Sequence, residues 1–300
     1  MKQLVILSGK GGTGKTSVAA AFSHMAAEGP DQISAVLADA DVDAANLELV
    51  LSPHILERED FWGGQAAIIN QKECISGGEC MEVCRFNAIY ESRGLYHVDP
   101  IACEGCAACV YQCPCEAITM EKQIAGQWSR SETRFGPLFH AELYPAQENS
   151  GKLVTLIKQR ARLLALDEDY ELVIVDGPPG IGCPVISAAS GADLALIVAE
   201  PSAAGIHDMQ RILQTTDHFG IRALVCINKY DLYPAGTAEI TSFCHEHDIK
   251  VIGTIPYDIG VTEAMTHGEP VTVYQTAGAA ALALREVWTQ TVSALRDTVE

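Results

Sequence analysis

The sequence predicts an α/β protein: a doubly wound, mostly parallel sheet carrying a small inserted α+β domain. Three observations predict it. Short continuous apolar runs alternate with amphipathic stretches along most of the chain, the pattern of parallel strands covered on both faces. A glycine-rich turn joins the first apolar run to the first amphipathic stretch. Eight of the eleven cysteines fall between Cys74 and Cys115, where the alternation breaks.

In chain order, residues 4–7 read as a buried strand, and residues 9–16 as the turn into a helix running to about residue 27. Residues 35–38 form a second strand, followed by the acidic loop Asp39-Ala40-Asp41-Val42-Asp43 and a short helix over 45–51. From about 57 to 123 the cysteines take over and regular apolar periodicity is lost. The pattern resumes with a helix over 152–165 and strands at 172–175 and 194–199. A helix at 206–219, a strand at 223–227, a helix at 238–247 and a strand at 251–255 follow, with two closing helices. The last of these, 279–299, is amphipathic. Its polar face carries Arg285 and Arg296 against Glu286, Asp297 and Glu300, so it is expected to pack on the sheet rather than on lipid. The expected division is residues 1–57 with 124–300, and an insert at 58–123.

A formal charge of −19 over 300 residues excludes nucleic acid and anionic lipid as main partners, since both demand a basic face. The run Leu4-Val5-Ile6-Leu7 is too brief for a signal peptide or a membrane span. A cytoplasmic chain is expected, and its cysteines then read as metal ligands rather than disulfides.

The turn Ser8-Gly9-Lys10-Gly11-Gly12-Thr13-Gly14-Lys15-Thr16 follows a strand and opens a helix, the context a phosphate-binding P-loop requires. Gly11, Gly12, Thr13 and Gly14 would close backbone N–H groups around phosphates at a helix N-terminus. Lys15 would reach the β/γ-phosphates and the Thr16 hydroxyl would ligate Mg²⁺. Lys10 stands too early in the loop to serve its own phosphates and is placed to reach a nucleotide held by a facing subunit. Asn228-Lys229-Tyr230-Asp231 matches the base-reading pattern of GTPases, and Asp231 could accept from guanine, so GTP stands beside ATP.

The run Cys103-x2-Cys106-x2-Cys109-x3-Cys113-Pro114 has the spacing that wraps an iron–sulfur cubane. It is the second half of a 29-residue repeat in which Cys74 maps on Cys103, Cys80 on Cys109 and Cys84 on Cys113. Two-cluster ferredoxins are built this way, each half giving three cysteines to one cluster and the fourth to the other. Cys103, Cys106, Cys109 and Cys84 are thus expected to hold a 4Fe–4S cluster. The other set lacks a member: Gly77 stands where a cysteine is expected, leaving Cys74, Cys80 and Cys113. Three thiolates hold a 3Fe–4S cluster, or a 4Fe–4S cluster with one iron open to another ligand. Cys115 is a candidate replacement, equally readable as a small packing residue, and Glu79 a weaker oxygen donor. Cys183 reads as a packing residue and Cys226 as core; Cys244-His245-Glu246-His247 could bind metal, but a solvated helix face is the commoner arrangement for such a run.

With Lys10 added to the P-loop, the chain resembles the deviant Walker-A family of MinD, Mrp-type carriers and the nitrogenase iron protein. Within it, the chain looks like the MinD-superfamily ATPases that carry an inserted ferredoxin domain. The resemblance also rests on Asn149-Ser150-Gly151-Lys152-Leu153-Val154, on 176–184 and on Glu200-Pro201 through Asp208. It implies Mg²⁺-dependent ATP hydrolysis in a nucleotide-sandwich homodimer, or a heterodimer with a related ATPase, in which Lys10 acts in trans. It also implies Asp176 as the Walker-B carboxylate, Asp39 or Asp41 as the water-orienting group of switch I, and Asn228 and Pro256 on the base side. The implied partner is a redox or apo-metalloprotein acceptor. The function expected is an ATP-gated cluster carrier or maturation factor. An ATP-gated electron donor and a MinD-like positioning switch are the alternatives.

Overall fold

A computed structural model describes residues 1–145 and 149–297. The chain forms two compact units, Met1–Arg58 with Trp128–Glu142 and Ser150–Glu300, and Glu59–Gln127 with Leu143–Asn149. Residues 124–127 and 143–149, assigned above to the ATPase portion, therefore fall in the cysteine unit.

The first unit opens with β1 (Lys2–Ser8), α1 (Lys15–Glu28), β2 (Ala35–Asp39) and α2 (Leu47–Leu51). The unit boundary falls inside β3 (His54–Ile69). The cysteine unit holds α3 (Glu79–Val83), the hairpin β4 (Ile89–Ser92) and β5 (Leu95–Val98), and α4 (Ala108–Gln112). The second crossing lies inside β6 (Ile118–Thr133), which is followed by β7 (Gly136–Leu143). Then come α5 (Ser150–Asp167), β8 (Leu172–Pro179), α6 (Cys183–Ala189), β9 (Leu194–Ala199), α7 (Ala203–His218) and β10 (Ala223–Asn228). The chain closes with α8 (Pro234–Glu246), β11 (Lys250–Ile255), α9 (Ile259–Thr266), α10 (Val271–Tyr274) and α11 (Ala279–Arg296).

The strand order is β11-β10-β9-β1-β8-β2-β7-β6-β3. Every pair from β11 across to β7 is parallel. β1 lies at the centre, with Val5 opposite both Val175 and Ala195, and its residues 4–7 are fully buried. Asp39 at the end of β2 is in register with Asp176 on β8. The acidic loop, Asp176 and the glycine-rich turn therefore emerge together at the carboxyl ends of the strands, where open α/β sheets bind ligands. Phe22 of α1 is fully buried and meets Trp288 of α11 edge-on, with ring centroids 4.9 Å apart. α11 thus packs into the core as expected; the expected stretch from 298 to 299 lies outside the described residues.

Three sheet strands were not expected: β3, β6 and β7. Residues 54–60 of β3 are exposed, so no buried face imposes an apolar alternation there. β6 is rich in charge, and the apolar run of β7 is interrupted by His140. Three helices rather than two close the chain, because the four-residue α10 is too short to show a period, and the seven-residue α6 was likewise missed.

Candidate functional site

The turn between β1 and α1 is shaped by backbone that only glycine adopts readily. Gly12 has φ 77° and Gly14 has φ 96°, and a Cβ on Gly14 would run into the Asn228 amide nitrogen. Asn228 is close because its Nδ2 donates to the Thr13 carbonyl at 2.7 Å, while its Oδ1 accepts from the Lys229 N–H. Lys229 adds a second brace, donating from Nζ to the Gly12 carbonyl at 2.9 Å.

The loop faces a cleft of about 580 Å³, lined by Gly11, Gly12, Gly14, Lys15 and Thr16, by Asp41 and Asp43, and by Asn228 and Pro256. Val261, Thr262 and Met265 of α9 form a further wall that sequence reasoning missed. Thr13 is buried behind the loop. Asp231 is not among the residues lining the cleft, and its Oδ1 accepts from the Tyr257 N–H at 2.7 Å.

The carboxylates of the site differ sharply. Asp176 is buried and neither oxygen has a hydrogen-bond partner among the described residues. Burial raises its pKa to about 6; the neighbouring Thr16 hydroxyl and Lys15 ammonium pull the other way. An unpartnered buried carboxylate beside a P-loop threonine suits a divalent cation. Asp39 is fully buried but well partnered. Its Oδ1 accepts from the Asp41 N–H at 3.1 Å, and its Oδ2 from the Asn46 and Leu47 N–H groups at 3.1 and 3.0 Å. It thus closes the acidic loop and caps α2. Burial first, and then Asp176, hold its pKa well above the usual carboxylate range. Asp41 is half-buried, lines the cleft, and is also raised by burial, with Lys15 opposing. Of the two aspartates left open by sequence, Asp41 is the one the structure puts in the cleft.

Lys10 does not line the cleft. Its Nζ lies 3.4 Å from Glu200 Oε1 and 3.4 Å from Ser202 Oγ, and Glu200 Oε2 is 3.6 Å from Lys229 Nζ. Glu200 therefore holds two lysines of the loop region at once. Behind the site, Lys158 of α5 is buried and donates to the carbonyls of Ser187, Ala188 and Ser190. These are the free carbonyls at the end of α6, which a cation satisfies.

In the cysteine unit the repeat is visible in the backbone. α3 and α4 are each five residues, start from left-handed caps at Gly78 and Ala107, and end at Cys84 and Cys113. Ser76 and Gly105 share a positive φ, as do Asn87 and Glu116. Cys84 Sγ accepts from the Ala88 N–H at 3.3 Å and Cys113 Sγ from the Ala117 N–H at 3.3 Å. One small cavity is lined by Cys84, Cys103, Cys106 and Cys109. A second is lined by Cys74, Cys80, Cys113, Cys115 and Glu79. All eleven cysteines are free thiols. Burial raises the Cys80 and Cys109 thiols, with neighbouring cysteines adding to it. The Ile75 N–H and then Cys113 pull Cys115 down. Among the described residues no three His, Cys, Asp or Glu side chains converge as a single metal ion requires; the thiols instead stand around cavities.

The remaining cysteines depart from expectation in part. Cys183 is exposed at the start of α6 rather than packed, because that end of α6 faces out. Cys244 is fully buried on the inner face of α8, with its pKa raised by burial to about 11. Cys226 is core, its pKa pushed up to about 12 by burial.

A parallel sheet with a P-loop cleft at its carboxyl edge defines a P-loop nucleotide-binding protein. The model of the CobQ/CobB/MinD/ParA nucleotide binding domain matches residues 4–271, and the chain belongs to this family of nucleotide-binding ATPases. An uncharacterized protein of Methanocaldococcus jannaschii is 32% identical over 265 residues, 88% of each chain. In fold the chain is similar to the septum site-determining protein MinD of Pyrococcus horikoshii, complexed with Mg-ADP. The TM-score is 0.57 at 17% identity, covering 100% of this chain and 99% of that one. A 7Fe ferredoxin of Hydrogenibacillus schlegelii is 34% identical over 64 residues, 21% of this chain and 82% of the ferredoxin. Among the described residues no helix is long and apolar enough to cross a membrane.

Proposed function

We propose that this ATPase is a dimeric iron–sulfur protein in which ATP hydrolysis gates delivery of an iron–sulfur cluster to an acceptor protein. The observation that carries the reading is the interlocked division of thiols. Cys84 ends one half of the repeat yet lines the cavity of Cys103, Cys106 and Cys109, while Cys113 lines that of Cys74 and Cys80. Four thiols at the first cavity fit a 4Fe–4S cluster, and at the second the three thiols that the repeat supplies, Cys74, Cys80 and Cys113, fit a cluster with three held irons, Cys115 lining the same cavity besides. The likeness to a 7Fe ferredoxin supports the same count, since about seven irons is one three-iron plus one four-iron cluster.

In the ATPase unit, backbone N–H groups of the glycine-rich turn bind the phosphates, and Lys15, buried against them, neutralises their charge. Thr16 and Asp176 would hold Mg²⁺, which when bound supplies electrostatic stabilisation of the transferring phosphoryl group. Asp41, which lines the cleft, orients the attacking water. Lys10 leaves Glu200 to reach the partner's nucleotide, and its charge contributes as an arginine finger does. The acidic loop leads through α2, and the chain crosses into the cysteine unit between Arg58 and Glu59 soon after α2 ends at Leu51, so a change there is transmitted along a short covalent path. An incompletely ligated cluster suits release better than a closed one.

The test is anaerobic purification with iron counting, followed by transfer assays to an apo-ferredoxin with ATP, ADP or no nucleotide. Acceleration of transfer by ATP, about tenfold or more, supports the reading; transfer indifferent to nucleotide sinks it. If clusters stay bound while their oxidation tracks hydrolysis, the protein is an electron donor instead. The pairing of two cluster sites within one small unit favours that second reading.

A further inference from the structure

The second cysteine cavity has a vacant cysteine position, and the structure says what fills it. Gly77 lacks a side chain where the repeat calls for a thiol. A Cβ built there would overlap Glu79 Oε2 and lie 2.9 Å from both Glu79 Cδ and Oε1. The Glu79 carboxylate therefore sits over Gly77, in the space that the missing cysteine side chain would occupy. It lines the same cavity as Cys74, Cys80 and Cys113. Gly77 and Glu79 fit together: the carboxylate can lie there only because residue 77 has no Cβ. The Glu79 side chain has no hydrogen bond or ion pair to another described residue.

Cys115 is the competing donor, and its geometry argues against it. Its Sγ lies 3.6 Å from Cys113 Sγ. Thiolates on two different irons of one cubane are held apart by the bulk of the cluster, so this pair is too close for both to be ligands as they stand. A carboxylate also differs from a thiolate in consequence. Oxygen is a harder donor that binds ferrous iron less tightly than sulfur does, which makes the iron it holds exchangeable.

We propose that Glu79 supplies a carboxylate oxygen to a fourth, exchangeable iron at the Cys74–Cys80–Cys113 site, in the position of the absent cysteine. This rests on the iron–sulfur reading above. The step is a metal addition without net electron transfer. A reduced, neutral 3Fe–4S cluster takes up one ferrous ion to give a 4Fe–4S cluster of charge +2, and one Fe–O bond to Glu79 forms. An external reductant such as dithionite supplies the one electron that first brings the oxidised three-iron cluster to the neutral state.

The experiment uses the full chain, reconstituted anaerobically, reduced with dithionite, incubated with ferrous ion and desalted. Iron is counted, and the oxidised sample's three-iron EPR signal is recorded. The wild type should rise from about seven to about eight irons per chain and lose its three-iron signal. Glu79→Gln, which keeps the shape but is a poor iron ligand, should stay near seven and bind added iron at least tenfold more weakly. The double variant Gly77→Cys/Glu79→Ala removes the collision and restores a thiol; it should hold about eight irons without added metal, proving that the cavity accepts a full cluster. Iron uptake by Glu79→Gln equal to that of the wild type overturns the proposal. So does a wild type that never exceeds seven, or loss of uptake in Cys115→Ser but not in Glu79→Gln. A wild type that binds no iron at all would instead overturn the iron–sulfur reading itself, so the two failures are distinguishable.

Discussion

Replacing Asp39 and Asp41 one at a time by asparagine should separate two carboxylates that stand two residues apart. Asp39 accepts three backbone N–H groups, one on Oδ1 and two on Oδ2. An asparagine keeps one oxygen, which best serves the two donors that begin α2, and turns its NH₂ toward the Asp41 N–H. One buried donor then loses its acceptor and the new NH₂ gains none, at about 1–3 kcal/mol each. The loss is partly offset because a charge buried beside Asp176 is removed. A net loss of about 1–3 kcal/mol follows, or roughly 3–10 °C in Tm for a unit of this size. Asp41→Asn removes no such set of bonds and should melt within about 2 °C of wild type. Its ATP hydrolysis should fall by about 10² or more, the scale of a lost water-orienting group. Thermal unfolding by circular dichroism and single-turnover phosphate release measure the two effects. If Asp39→Asn melts like the wild type but cannot hydrolyse ATP, while Asp41→Asn turns over normally, the assignment of Asp41 is wrong.

Three further outcomes are expected. Lys10→Ala should bind ATP within about twofold of wild type and hydrolyse it about 10³ times more slowly, as measured by nucleotide titration and phosphate release; hydrolysis within threefold would remove its role in trans. Lys158→Met strands the Ser187, Ala188 and Ser190 carbonyls and should cost about 2–4 kcal/mol in denaturant unfolding; a loss under about 1 kcal/mol would show that they find water instead. His140 is buried between Glu48 Oε2 at 2.9 Å and Ser131 Oγ at 2.9 Å. Burial lowers its pKa against the pull of Glu48, and Arg58 lowers it further. The unfolded chain therefore binds the proton more readily, so stability is complete above about pH 6.5 and falls as the pH drops below it. His140→Gln should flatten the slope of stability between pH 5 and 6.5, and an unchanged slope would rule His140 out as its source.

What was legible in the sequence follows the physics of each feature. The phosphate loop could be read because its backbone excludes most residues: Gly14 at φ 96° tolerates no Cβ beside Asn228. The central strands could be read because burial on both faces demands apolar runs. The thiol interlock could be read because duplication preserves spacing. Features set only by tertiary placement could not be read. Nothing in Asp39-Ala40-Asp41 tells which carboxylate is walled in, and no local signal links Lys10 to Glu200, which is 190 residues away. β3 and β6 escaped notice because residues 54–60 are exposed on both faces and Ser129, Ser131 and Thr133 take buried positions in β6, so neither strand carries a clean apolar period. The gap at Gly77 was plain from the repeat, but its filling by Glu79 depends on a side-chain direction.

The core of the cysteine unit bears on how its two sites divide their work. Its buried cluster is small: Ala67, Ile69, Cys80, Ile89, Cys109 and Ile118, with further cysteines packed against it. A unit of this size with so little apolar core ordinarily needs a staple, and here the thiols are themselves part of the core. In the proposed reading, metal binding at these thiols is also folding free energy. Cys84 and Cys113 each end one helix of the repeat while lining the cavity of the other half, so either group ties both halves together. A site with four thiols can then brace the unit permanently. The site with three thiols and a carboxylate can gain and lose its fourth iron without releasing the fold, since Cys74, Cys80 and Cys113 keep hold of the remainder. In that reading, Gly77 in place of a cysteine confines lability to one iron at one end of an otherwise fastened unit.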